Sequence, residues 1–288
     1  MKTAIVTDSN SGITQNQANE LGVFVVPMPV LIDGEQYFED ISLTQEQFYE
    51  KLKADAQVST SQPSAYDVGE MWTDILKEYD NIIHIPMSSA LSQTYATLAH
   101  LADTQFSGKV FVVDNKRISI TMRQSVIDAK KMADEGKVPE EIVKFLTETG
   151  SQSSIYIMVD TLKYLKKGGR ITPAVAAIGT LLKIKPVLQI QGGKLDQFAK
   201  VRKIADAKST MLNAIKHDLE TRFADLRAAG KMTLAVAHTQ NPDEAEIFKN
   251  EVMSAFPDIE FTFTEPLSLS IACHTGPGTL AVAATVKY

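Results

Sequence analysis

Short apolar runs separated by helix-length amphipathic segments set the tightest limit on what this chain can fold into. Thr3–Thr7, Val23–Val30, Asn81–Met87 and Lys109–Asp114 each read as a strand, and helical patterns lie between them. Strands that return after a helix pair in parallel, so this half predicts an open, mainly parallel sheet with helices on both faces. Within it, Asp33-Gly34 marks a tight hairpin between Val30–Ile32 and Gln36–Phe38. Ser42-Leu43-Thr44-Gln45 has the form of a capping box, opening a helix that runs to about Ala54. Ser64 is placed to cap a helix over Ala65–Tyr79. Met122–Gly136 reads as another, and Pro139 with Glu140 and Glu141 suits the positive start of the next.

The pattern changes near Gly150. Strand Ile155–Val159 leads to a short helix ending at Gly168-Gly169, and strand Lys185–Gln191 turns at Gly192-Gly193 into Lys194–Phe198. A long amphipathic helix, Ala205–Ala228, precedes strand Met232–His238. A helix from Pro242, strand Ile259–Thr264, a hydroxyl-rich loop with Cys273 and His274, and strand Leu280–Val286 close the chain. The expected fold is two-domain α/β. Residues 1–150 form an N-terminal domain with the open parallel sheet, and residues 151–288 a C-terminal α/β domain with a mixed sheet.

A length of 288 residues allows two buried cores, and 44% hydrophobic with 22% charged residues is ordinary for a soluble protein. The net charge of −6 offers no global attraction to nucleic acid or anionic membrane. One cysteine cannot build a disulfide framework and suits a reducing compartment. The first apolar run is too short for a secretory signal, and Lys183 and Lys185 break the longest one before it could span a bilayer. A cytoplasmic protein is expected, without nucleic acid as partner and with at most transient contact with a membrane surface. No nucleophile elbow, phosphate-binding lysine loop, dinucleotide fingerprint or paired metal-ligand motif occurs, so neither cofactor nor metal is expected.

One stretch demands cover. Between Leu165 and Gln191 a basic helix end passes Gly168-Gly169-Arg170 and restarts at Pro173, and Ala174–Leu182 is almost wholly small and aliphatic. Either the protein's own core or an apolar ligand must shield it. Two hydroxyl clusters, one in the loop Val58–Ser64 and one formed by Ser88, Ser89, Ser92 and Thr94, fall beyond apparent strands or at helix starts. Such edges converge on one crevice in a parallel sheet, where hydroxyls and helix amides bind a carboxylate or phosphate. Ser and Thr there also serve simply as caps and turn formers. His274 has both a structural and a ligand-binding reading. Cys273 is a poor nucleophile partner for it, because neighbours in an extended chain point apart. Arg170 either meets an anion or pairs with a carboxylate such as Asp160. Lys200, Arg202 and Lys203 form a solvated basic face or a docking patch.

Taken together, TDSNSG at Thr7–Gly12, STSQPS at Ser59–Ser64, SSALSQTY at Ser88–Tyr95, GGRIT at Gly168–Thr172, GTLLKIKPVL at Gly179–Leu188 and HTGPG at His274–Gly278 resemble the DegV family. The resemblance spans nearly the whole chain. It implies a long-chain fatty acid in an interior tunnel at or near the domain junction, and a role as the binding subunit of a fatty acid kinase. A separate catalytic subunit would phosphorylate the bound acid to an acyl phosphate for phospholipid synthesis; the chain itself would not be catalytic. Thr60, Ser92 and His274 would hold the carboxylate, with Ser61, Arg170 and Thr275 near the head group. Ile178, Leu181 and Leu182 would line the acyl wall, and Arg202 would face the kinase. Gly12 and Gln93 depart from the family pattern, which often has Asp and Gly there, and Gln93 could narrow the mouth near the head group. The alternatives are a stand-alone hydrolase or acyltransferase using Ser92 or Cys273 with His274, and a lipid-sensing regulator.

Overall fold

The computed structural model describes residues 2–172 and 184–288. The chain forms two compact units, residues 1–151 together with Tyr288, and residues 152–287. Among the described residues the first unit contains, in chain order, β1 (Thr3–Asp8), α1 (Gln15–Leu21), β2 (Phe24–Val26), β3 (Pro29–Ile32), β4 (Glu35–Phe38) and α2 (Gln45–Lys53). It continues with β5 (Val58–Thr60), α3 (Ala65–Ile75), β6 (Asn81–Ile85), α4 (Thr94–Gln105), β7 (Val110–Val112), α5 (Ser119–Asp134) and α6 (Pro139–Thr149).

Four parallel strands in the order β2-β1-β6-β7 make the main sheet, as the alternating pattern predicts. Its side chains divide with a period of two. Ile5, Val25, Ile83 and Ile85 pack with Ala18 of α1, Val126 and Met132 of α5, and Ile142 and Leu146 of α6. Ala4, Val6, Val26 and Ile82 pack with Val68, Trp72 and Ile75 of α3, and Leu98 and Leu101 of α4. Each fully buried Ile or Leu contributes about 1.5–3 kcal/mol, and both faces of this sheet are covered in this way. His84 sits on the second face, where its Nδ1 accepts the Trp72 indole N–H at 3.1 Å. Burial presses its pKa down to about 3, which keeps the ring neutral.

Three local expectations need correction. Val23–Val30 is two strands, not one: β2 joins the parallel sheet, and after Pro27 the chain enters β3 of an antiparallel sheet ordered β4-β3-β5. The segment read as a hydroxyl loop therefore begins as strand β5, with Thr60 opposite Val30. The cap of α2 is Thr44, whose Oγ1 accepts the Gln47 amide at 3.2 Å while Gln47 reaches back to the Thr44 amide at 3.0 Å. The Asp33-Gly34 turn, the Ser64 cap and Pro139 at the first helical position all match expectation.

Among the described residues the second unit contains β8 (Ser153–Met158), α7 (Lys163–Gly168), β9 (Lys185–Ile190), β10 (Asp196–Val201), α8 (Ile204–Glu220) and α9 (Ala224–Ala228). There follow β11 (Met232–His238), α10 (Pro242–Ala255), β12 (Glu260–Pro266), α11 (Leu269–Thr275) and β13 (Leu280–Val286). Among the described residues six strands form a mixed sheet, β10-β9-β8-β13-β11-β12, in which β11 and β12 are parallel. Met211, Ile215 and Leu219 of α8 and Phe248 and Val252 of α10 cover one face. Lys208 ties those helices together through Glu244 at 2.6 Å and Glu251 at 2.7 Å.

Two further corrections fall here. The long helix over 205–228 is broken: α8 ends at Glu220, Phe223 turns into the core, and a separate short helix follows. The loop carrying Cys273 and His274 is the helix α11, whose Leu269, Ala272 and Cys273 are buried at helical spacing. Its hydroxyl-rich composition masked that apolar stripe.

Candidate functional site

Thr60, Ser61 and Ser92 lie in the first unit, and Arg170, Arg202, His274 and Thr275 in the second. Ile178, Leu181 and Leu182, with the apolar segment 174–182, lie outside the described residues. In the first unit Thr60 ends β5 half-buried, and the amide of exposed Ser61 donates to the Pro29 carbonyl at 3.4 Å. The next residue, Gln62, accepts the Thr97 hydroxyl of α4 at 3.1 Å, which ties the first hydroxyl segment to the helix headed by the second. A cavity of about 270 Å³ lies beside this connection, lined by Val26, Phe38, Gln62, Pro63, Val68 and Met71 among others.

The loop Met87–Ser92 is held from both neighbouring strands. Asp8, at the end of β1, accepts the Met87 amide at 2.9 Å. It also accepts the backbone and side-chain N–H groups of Asn10 at 2.9 and 2.8 Å. Burial nevertheless pushes its carboxyl up to about pKa 6. Asp114, just beyond β7, accepts the Ser89 hydroxyl at 2.5 Å and the Ser89 amide at 3.2 Å. Ser88 donates its amide to the Arg117 carbonyl and accepts the amides of Leu91 and Ser92 at its own carbonyl. Ser92 is thereby fixed at the head of α4, where its Oγ accepts the Thr94 amide at 3.2 Å and lies 2.8 Å from Thr94 Oγ1. The cap-like role open to this serine is realised, and the residue is half-buried.

In the second unit His274 occupies the last turn of α11, packed against α7. A Cβ on Gly168 would strike its imidazole, and one on Gly276 would strike the Tyr164 ring, so both glycines give room for helix contact. Gly168-Gly169 divides its work: Gly169 turns the chain with φ of 68°, and Gly168 makes space for the ring. Burial, then the Arg170 charge, lowers the His274 pKa to about 4. An imidazolium offsetting a carboxylate is therefore not the resting state; the ring is neutral at neutral pH. Arg170 does not pair with Asp160, which bonds Lys185; its Nη1 donates to the Gly168 carbonyl. Thr275 is buried, and its hydroxyl donates to the Ile271 carbonyl at 3.4 Å. Cys273 is buried one residue from His274, about 100° around the helix from it. Arg202 is exposed between β10 and α8.

Gly12 adopts φ of 76° and closes the turn after β1, a left-handed conformation that glycine takes without strain. Gln93 is exposed and makes no side-chain cap. Reading by motif missed Asp8 and Asp114 as anchors. The available signal was an aspartate directly after each of two apolar runs at a sheet's carboxyl edge.

These features define a two-unit α/β protein with hydroxyls on the parallel-sheet unit and a half-buried imidazole beside an arginine on the mixed-sheet unit. The DegV family model, described as "Uncharacterised protein, DegV family", matches residues 2–287. A DegV domain-containing protein of Caldanaerobacter subterraneus is 31% identical over 284 residues, 98% of each chain. The fold is similar to a fatty-acid-binding DegV family protein of Thermus thermophilus, with a TM-score of 0.88 at 30% identity, covering 99% of this chain and 100% of that one. It is also similar to DegV of Bacillus subtilis, a fatty-acid-binding protein, with a TM-score of 0.86 at 29% identity over 100% of both. The chain belongs to the DegV family.

Proposed function

We propose that the chain holds a long-chain fatty acid and presents its carboxylate to a separate kinase subunit. The observation that carries the binding role is the end-to-end likeness to DegV proteins solved as fatty-acid binders. The kinase partnership rests on the resemblance in the sequence motifs. Ser92, Thr60 and His274 serve the carboxylate, Arg170, Ser61 and Thr275 the head-group surroundings, and Ile178, Leu181 and Leu182 the acyl wall. Arg202 is an exposed cation suited to docking on a partner.

The division of labour follows from magnitudes. Burial of an acyl chain contributes about 0.8 kcal/mol per methylene, so a chain of roughly sixteen carbons supplies on the order of 10 kcal/mol before ordering costs. Apolar contact sets affinity, and the polar groups set which end faces out. Hydroxyl and neutral imidazole donors hold one carboxylate oxygen and leave the other able to attack. In the transfer, that oxygen bonds to the terminal phosphorus of ATP, the bond to ADP breaks, and acyl phosphate and ADP result. The kinase subunit supplies the nucleotide and the phosphoryl chemistry.

Native mass spectrometry of protein purified from cells tests the reading, and bound long-chain fatty acid is the expected result. With the cognate kinase and ATP, acyl phosphate forms with the parent and is lost with Ser92→Ala or His274→Ala. An empty protein from which no fatty acid displaces a fluorescent lipid probe would refute the carrier role. Turnover by the isolated chain without ATP would replace it with a stand-alone enzyme.

A further inference from the structure

We propose that Thr94 is a positioning residue that fixes the Ser92 hydroxyl as a hydrogen-bond donor toward the ligand carboxylate; this rests on the carrier reading above. A serine hydroxyl has one proton and two lone pairs. Ser92 Oγ spends one lone pair on the Thr94 amide at 3.2 Å, and 2.8 Å separates it from Thr94 Oγ1. Either hydroxyl could donate to the other on distance alone.

Burial decides between them. Thr94 is 1% exposed, and Ser92 Oγ is the one acceptor within reach of its hydroxyl among the described residues. If Ser92 donated to Thr94, the Thr94 proton would be buried without an acceptor, a cost of about 1–3 kcal/mol. With Thr94 as donor, the buried Thr94 proton has its acceptor. Both lone pairs of Ser92 are then filled, and its own proton is left for a ligand on this half-buried residue. A carboxylate presents only acceptors, so this arrangement matches it before it arrives. The loop beneath gives Ser92 little freedom to rearrange, because Asp8, Asp114 and the Arg117 carbonyl hold Met87, Ser89 and Ser88.

The test compares a long-chain fatty acid with the fatty alcohol of equal length, which lacks the anion. Thr94→Val keeps the shape and removes the donor. It should weaken acid binding about tenfold, the order of a lost charge-assisted hydrogen bond, while alcohol binding changes less than about twofold. Thr94→Ser should restore the acid, and Thr94→Val should add nothing in a Ser92→Ala background. Should Thr94→Val fail to fold, Thr94→Ala carries the same comparison. Equal weakening of acid and alcohol, or full acid affinity without the Thr94 hydroxyl, overturns the inference and leaves the carrier role standing. Full acid affinity in Ser92→Ala does the same. A parent protein that binds neither lipid sinks the carrier reading, and this inference with it.

Discussion

Gly168 ends α7, yet an alanine at such a helical position is ordinarily the better helix former by about 1 kcal/mol. The contacts explain why glycine stands there. An ideal Cβ would press on His274 Nδ1 and lie 2.8 Å from Cε1 and 3.1 Å from Cγ, so the imidazole fills the space a methyl needs. Gly168→Ala therefore sets an overpacking cost of about 1–3 kcal/mol against the propensity gain, for a net loss of up to roughly 2 kcal/mol. In a His274→Ala background the obstacle is gone, and the same change should become stabilising by about 0.5–1 kcal/mol. The sign reversal is the diagnostic, corresponding to a coupling of roughly 2 kcal/mol in a double-mutant cycle. Urea unfolding of the four proteins, followed by a probe in the second unit, measures it. If Gly168→Ala has the same effect with and without the imidazole, the account of this glycine is wrong.

Other predictions follow from the charged groups. The His274 pKa is lowered to about 4 from 6.5, so the unfolded chain binds the proton first as pH falls. Its contribution, up to about 3 kcal/mol, is present above pH 6.5 and lost progressively toward pH 4. His274→Gln should flatten that part of the second unit's urea midpoint profile, and an unchanged slope would count against the neutral ring. Lys208→Met removes the shared partner of Glu244 and Glu251, and should cost about 1–3 kcal/mol in dilute buffer and less at 1 M salt. Asp114→Ala frees the Ser89 amide and hydroxyl, so amide exchange over residues 87–92 should accelerate about tenfold, equivalent to about 1.4 kcal/mol. Exchange as slow as in the parent would show that Asp8 and Arg117 suffice to hold the loop.

Much of the architecture is legible in the sequence because side-chain period and turn chemistry act locally. Met232–His238 and Leu280–Val286 have their observed bounds on the page as apolar runs, and Asp33-Gly34 announces its own turn. The failures share a different cause. Val23–Val30 is one apolar run by composition, and its division between two sheets depends on partners distant in sequence, β1 and β5. The α11 helix is hidden because Ser268, Ser270 and Thr275 look like loop residues, although Leu269, Ala272 and Cys273 carry the helical stripe. At the site, hydroxyls near strand ends are visible, but the hydrogen-bond direction between Thr94 and Ser92 depends on which one is buried. Gly168 reads as a turn residue until the His274 ring appears beside it.

The charge state of His274 changes how a carboxylate would be met in the second unit. A protonated imidazole would neutralise an anion directly, but here burial and the neighbouring Arg170 both oppose the proton. The formal positive charge near the ring therefore belongs to Arg170, whose Nη1 is steadied by the Gly168 carbonyl. A neutral ring beside a fixed guanidinium can donate a hydrogen bond without forming an ion pair. That distinction matters for a carrier, because a carboxylate locked in a direct buried ion pair would lose nucleophilicity and resist release. Arriving negative charge would also cancel part of the Arg170 field that disfavours the imidazolium, so ligand binding should raise the His274 pKa. Proton uptake then accompanies binding in the pH range between the free and bound pKa values, and affinity strengthens as pH falls through that range. The glycine that admits the ring and the arginine that follows it thus act as one device, setting the protonation of the group on which the proposed head-group contact depends.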